Sequence, residues 1–220
     1  MWSSEGVFRE TIMTRWIGVA FGAGWLMVAE AVASQPVGPR EALESAIVQV
    51  VSILQHGEIN GTPVGDSSAE LRRITREVFD FDEMSRRALA HHWQLRTHEE
   101  QAEFVALFRG LLERSYMAQI RAYTGETITV VDESVEGHLA TVRSRLVTRG
   151  GAEVALDFRM HARAGRWQVY DALIGGVSLV SSYRSQFERV IRSESYGALR
   201  DRLQRKSLDT AVAERQRESK

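Results

Sequence analysis

The chain has 220 residues, with 28 Lys+Arg against 29 Asp+Glu, 44% hydrophobic residues and no Cys. That length and polarity fit one globular domain with a sizeable core and exclude a disordered, collagenous or multi-span membrane chain, while the absent Cys removes disulfide scaffolds, thiolate zinc sites, iron–sulfur clusters and cysteine nucleophiles. A net charge of -1 leaves no cationic excess to neutralise phosphates, which excludes nucleic-acid binding by bulk electrostatics, and Lys206 and Lys220, the only lysines, are poor candidates for a Schiff base.

In chain order, Arg9 and Arg15 precede an apolar or small stretch from Trp16 to Ala29, followed by Ala31-Val32-Ala33 before Ser34. These are the n-region, h-region and cleavage signature of a secretory signal peptide over 1–33. The rival reading, a spanning anchor, falls short, because the apolar stretch reaches about 21 Å as a helix against a hydrocarbon core of about 30 Å. Pro39 suits the first turn of a helix, in which Leu43, Ala46, Ile47, Val50, Val51 and Leu54 recur at helical spacing. Gly57 to Asp66 reads as a loop. A second helix carries Leu71, Ile74, Val78 and Phe79, and a third carries Met84, Ala88, Leu89 and Trp93. Thr97 and Glu100 form a capping box that opens the longest helix, with Phe104, Phe108, Leu111, Leu112, Tyr116, Ile120 and Tyr123 along one face and Gly125 past its end.

After Gly125 the apolar period changes from about 3.6 to 2, the sign of strands. Expected strands are Thr127 to Asp132, Leu139 to Thr148, a third from Ala152 to Arg163, and a fourth containing Trp167 and Val169. The third alternates, with Val154, Leu156, Phe158 and Met160 on one face and Asp157, Arg159, His161 and Arg163 on the other. One apolar sheet face needs a cover, and the long helix is the natural candidate. Two further helices follow, with Tyr183, Phe187, Val190 and Ile191 in the first and Tyr196, Leu199 and Leu203 in the second. The fold expected is therefore α+β: a four-stranded antiparallel curved sheet, NTF2-like or cystatin-like, covered by helices. The helical part spans 39–123, the sheet 126–180, the C-terminal helices 181–206 and a polar tail 207–220.

The histidines are His56, His91, His92, His98, His138 and His161. None form a zinc-helix pair, and adjacent His91 and His92 point about 100° apart on a helix, so no metal site is expected. Asp80, Asp82 and Glu83 sit where a helix starts, which favours capping over chemistry. There is no G-x-S-x-G elbow and no phosphate loop. Asp171 is the most interesting carboxylate. If the fourth strand stays regular it shares the apolar side with Trp167 and Val169, where a pocket-facing carboxylate serves as a proton-shuttling base in cone-shaped α+β isomerases. The competing reading is a structural acceptor of backbone or arginine hydrogen bonds at the strand's exit.

The run Trp167 to Asp171, then Gly176-Val177-Ser178-Leu179 and Tyr183-Arg184-Ser185-Gln186-Phe187, together with Leu156-Asp157-Phe158 and the Glu100, Gln101, Phe104, Phe108 helix start, resembles a known family. It is similar to the periplasmic phospholipid-binding carriers of the Mla pathway, the MlaC-like or toluene-tolerance auxiliary family, over roughly residues 39 to 206. The resemblance implies a non-enzymatic carrier in the periplasm, with phospholipid as cargo and no cofactor. It would shuttle lipid between an outer-membrane lipoprotein complex and the MCE-domain subunit of an inner-membrane ABC transporter, maintaining outer-membrane lipid asymmetry. A cavity between the apolar sheet face and the long helix is expected to hold the acyl chains, lined by Val154, Leu156, Phe158, Met160, Trp167, Val169, Val177, Leu179, Phe108, Leu112 and Tyr116. A hopanoid-associated carrier, a small isomerase or dehydratase using Asp171 as base, and a structural adaptor docking to a transporter remain the alternatives.

Overall fold

A computed structural model describes residues 37–60, 64–121 and 125–206. The expected signal segment and tail lie outside them. The elements are α1 (Pro39–Asn60), α2 (Val64–Val78), α3 (Phe81–Leu89), a 3-10 turn (Ala90–Leu95), α4 (His98–Arg121), β1 (Thr127–Glu136), β2 (Leu139–Val147), β3 (Glu153–Arg163), β4 (Arg166–Ile174), β5 (Val177–Ser178), α5 (Leu179–Ser193) and a last helix, α6, over 196–206. No helix among the described residues is long and apolar enough to cross a membrane.

Local signals account for most of these boundaries. Pro39 opens α1. The capping box at α4 is reciprocal: the Glu100 N–H donates to Thr97 Oγ1 at 3.2 Å, and the Thr97 N–H donates to Glu100 Oε2 at 3.0 Å. Two sequence expectations fail here. Among the described residues the loop expected over 57–66 is helical, because α1 continues to Asn60 and α2 starts at Val64. The third helix does not run on to Trp93: it stops at Ala90, whose φ of 50° and ψ of -124° break the α-helical ladder before the 3-10 turn.

The sheet is antiparallel, in the order β1-β2-β3-β4-β5, so it has five strands where four were expected. The fifth arises because Gly175 and Gly176 both take positive φ, 58° and 81°, and fold the chain back so that Ile174 faces Val177 and Leu173 faces Ser178. β1 is longer than expected because a bulge between Val130 and Asp132 lets pairing continue to Glu136. A second bulge lies between β3 and β4, where Arg159 pairs with Asp171 but the neighbouring Met160 pairs with Val169, leaving Tyr170 as the extra residue. The free edge of β4 is covered by the α2–α3 connection, where Phe79 bridges Val169 in parallel and the Asp80 N–H donates to the Val169 carbonyl at 2.9 Å.

Two hydrophobic clusters result. In the sheet cluster Val130, Ala140, Val142, Phe158, Met160, Val169 and Ala172 are buried against Leu43 of α1. In the bundle cluster Phe81, Met84 and Leu89 of α3 meet Phe104, Phe108, Leu111 and Leu112 of α4, Val180 and Phe187 of α5, and Tyr196, Leu199 and Leu203 of α6. The expected cover of the sheet is thus corrected: α1 and α2 lie on the strands, while α4 packs on α3. The reason is the aromatic face of α4, which finds its complement in Tyr183, Phe187 and Tyr196 rather than in aliphatic strand residues.

Candidate functional site

The apolar sheet face and its helical cover hold part of the expected lipid-binding set. Phe158, Met160 and Val169 are buried there, with Leu156 and Trp167 at the rim and Val154 half-buried opposite Leu146. Phe108 and Leu112 are buried in the bundle cluster instead, with Tyr116 and Leu179 on its margin. Val177 is 63% exposed beside the β4–β5 turn. These residues therefore do not line one wall and its opposite; they divide between two clusters, both of which Phe79 touches at the edge of β4.

The residues facing the strands that sequence reasoning did not assign to the site are Leu43 and Ile47 of α1 and Val78 at the end of α2. The helical spacing of α1 revealed a buried face but carried no sign of its partner. The middle of α1, Ile47-Val48-Gln49-Val50-Val51-Ser52-Ile53-Leu54, is apolar nearly all round. Yet Val48 is 66% exposed and Ile47, Val50, Val51, Ile53 and Leu54 are only half-buried. A helix that is apolar on every side normally sits inside something. This one carries uncovered apolar surface next to the sheet cluster.

The other face of the sheet carries carboxylates in fully built hydrogen-bond nodes. The bulge at Tyr170 overturns the expected parity of Asp171: Ala172 takes the apolar place opposite Phe158, and Asp171 turns to the side of Arg159. There Asp171 is buried and accepts hydrogen bonds from Ser178 Oγ at 2.6 Å, the Val180 N–H at 3.0 Å and Arg159 Nη1 at 3.3 Å. Tyr170 lies against His161, with the Arg87 guanidinium 4.0 Å from its ring centroid. Asp80 is the N-cap of α3, accepting from the Glu83 N–H at 2.9 Å, and its other oxygen meets His161 Nε2 at 3.0 Å and Arg163 Nη1 at 3.4 Å. Burial raises the pKa of Glu83, but hydrogen bonds from Arg86 and Arg87 outweigh it and hold the carboxyl below its ordinary range. Asp80→Ala removes both the cap and the partner of His161, and is expected to lower stability by about 1–2 kcal/mol, read from the urea midpoint.

Beside these nodes are two adjoining hollows of about 470 and 690 Å³ that share Arg86, Arg87 and Trp93. The first also meets Asp82, His138, His161 and Arg163, and the second Gln94, His98, Gln101 and Arg184. None of the eleven residues expected to bind lipid lines either one. Their walls mix polar with apolar surface and carry the guanidinium groups of Arg86, Arg87, Arg163 and Arg184, which are unsuited to acyl chains.

A family model described as MlaC protein matches residues 44–205, which run from the first turns of α1 to the end of α6. The chain belongs to the MlaC family. This MlaC-family chain is 24% identical over 119 residues to the toluene tolerance protein ttg2D of Pseudomonas putida, a match covering 53% of the chain and 55% of the relative. It thus spans about half the length of that curated relative. Its fold is shared with a solved phospholipid-binding protein from Ralstonia solanacearum, captured in complex with a phospholipid, at a TM-score of 0.70 and 24% identity over 79% of this chain and 98% of the other. The α+β architecture expected from the sequence is therefore shared with that solved structure.

Proposed function

We propose that this MlaC-family chain is a non-enzymatic periplasmic phospholipid carrier that receives acyl chains between the apolar face of its sheet and α1. The observation that carries the reading is the half-covered apolar middle of α1, from Ile47 to Leu54, beside a sheet cluster rimmed by Leu156, Trp167 and Phe79. Apolar surface of that extent on a single-domain protein calls for a partner of the same polarity. A phospholipid supplies one. At about 0.8 kcal/mol per methylene, a lipid with roughly thirty acyl methylenes faces about 24 kcal/mol to enter water, so transfer between membranes needs a site of nearly equal apolarity. The phospholipid bound by the Ralstonia solanacearum relative supports the same class of cargo. In this reading the carrier domain is 34–206, behind a signal at 1–33 and before a tail at 207–220. It exchanges lipid with an outer-membrane lipoprotein complex and the MCE-domain subunit of an inner-membrane ABC transporter, and so maintains outer-membrane lipid asymmetry. Leu156, Phe158, Met160, Trp167 and Val169 form the strand wall, with Val154 at its end; Phe108, Leu112, Tyr116, Val177 and Leu179 border the site rather than line it.

The test is the lipid content of the purified protein, extracted with organic solvent and measured by mass spectrometry. Val51→Glu places a carboxylate on half-exposed helix surface, where folding tolerates it, but in the path assigned to the acyl chains. Copurified phospholipid is expected to fall on the order of tenfold or more. A folded Val51→Glu variant with an unchanged lipid-to-protein ratio would remove α1 from the site.

A further inference from the structure

The break in α3 brings two adjacent histidines onto a glutamate 96 residues further along the chain. Ala90 holds φ 50° and ψ -124°, a backbone region that residues with a Cβ strongly avoid and that persists only where the surroundings enforce it. Past it the chain runs as a 3-10 turn, so the expectation that His91 and His92 diverge by about 100° does not hold. Their ring centroids are 3.9 Å apart with an interplanar angle of 40°. Both rings turn to Glu188 of α5: Glu188 Oε2 lies 2.7 Å from His92 Nε2 and 3.9 Å from His91 Nε2. One ligand atom from each of the three falls within 4.8 Å of the others.

We propose that His91, His92 and Glu188 form a binding site for a first-row divalent cation, with Zn²⁺ as the natural test ion. Two imidazoles and one carboxylate are the donor set of open zinc sites, which keep a fourth position for water. Bonds of 2.0–2.1 Å to a tetrahedral ion require donor atoms about 3.3 Å apart. The pair His92–Glu188 is already closer than this, joined by a hydrogen bond whose proton the cation replaces. His91 has less than an ångström to travel relative to Glu188, and at 66% exposure its side chain is free to do so. The His92 and Glu188 side chains are partly buried, only 15% and 34% exposed, which lowers the local dielectric around the charge. The opposing term is Arg192, whose Nε stands 4.0 Å from Glu188 Oε1, but that arginine is 78% exposed and solvated. Cation binding ties the 3-10 turn to α5, where one turn earlier Arg184 Nε already donates to the Arg87 carbonyl at 3.0 Å. The ion thus clamps the wall of the arginine-lined hollows and lies outside the apolar site.

Titrating tag-free, lipid-loaded protein with Zn²⁺ in a calorimeter tests this. The expected result is saturable one-to-one binding with a micromolar dissociation constant, weakened about tenfold or more by His91→Ala and by Glu188→Gln. His98→Ala, at an exposed histidine outside the cluster, is expected to leave the affinity unchanged. A Zn²⁺-dependent rise in melting temperature should accompany binding and vanish in the same two variants. No saturable binding, or an affinity indifferent to His91→Ala and Glu188→Gln, overturns the proposal. His91 is exposed enough that its variant should fold, and Glu188→Gln keeps the shape of the side chain, so a null result reads on the metal and not on stability.

Discussion

Phe108→Ala is expected to destabilise the protein by about 3–5 kcal/mol and yet leave its lipid content unchanged. Phe108 is fully buried in the bundle cluster. It stacks on Phe104 with centroids 5.9 Å apart and meets Tyr183 and Phe187 edge-on at 5.1 and 5.3 Å. Truncation removes three aromatic contacts and opens a cavity among rings that pack as a unit; such rings do not collapse readily into a gap. A loss of this size is a large share of the stability of a typical domain, so the urea midpoint should fall steeply and the variant should be studied in the cold. The bundle cluster and the sheet cluster are distinct, and the acyl path assigned here runs along the second. The lipid-to-protein ratio of folded Phe108→Ala should therefore equal that of the unmodified chain. Lipid loss from a variant that remains folded would instead bring α4 into the acyl path, as in the cavity between sheet face and long helix that the sequence alone suggested.

That contrast shows what the residues disclose and what they withhold. The capping box at Thr97, the stripe from Phe104 to Leu112 and the alternation through β3 are local patterns, and each appears where the spacing predicts. Which surface covers which is a tertiary fact. The periodicities of α1 and α4 both announce a buried face, but nothing within either helix says that Leu43 meets the strands and Phe108 meets α5. The site suffered most where backbone geometry departs from the repeat. At Ala90 a single unusual residue turns two diverging histidines into a converging pair. At Tyr170 one extra residue moves Asp171 to the opposite face, and no Gly or Pro in Trp167 to Asp171 marks the place.

Asp171→Ala should cost about 3 kcal/mol, and Asp171→Asn markedly less, because the carboxylate joins β4 to the start of α5 through two donors, Ser178 and Val180, and also meets Arg159 of β3. The Ser181 N–H donates to Ser178 Oγ, the N-cap of α5, and the Ser178 hydroxyl in turn donates to Asp171. The negative charge also lies at the positive end of that helix. Alanine strands the Val180 N–H in a buried position, a desolvation penalty of about 1–3 kcal/mol, and takes away the acceptor that orients the cap. The ion pair with Arg159 adds little to this, since Arg159 is 44% exposed and water replaces its partner. Asparagine keeps a carbonyl oxygen for the Val180 N–H, and Ser178 has only to rotate its hydroxyl to accept from the new amide. Urea unfolding of the two variants should therefore rank alanine well below asparagine. The same pair separates the carrier from an isomerase of similar shape. A general base requires an accessible lone pair within reach of a substrate, whereas Asp171 is 3% exposed and spends its oxygens on the protein. Asp171→Asn should retain its full complement of copurified phospholipid; loss of bound ligand from this folded, nearly isosteric variant would return the carboxylate to the functional site.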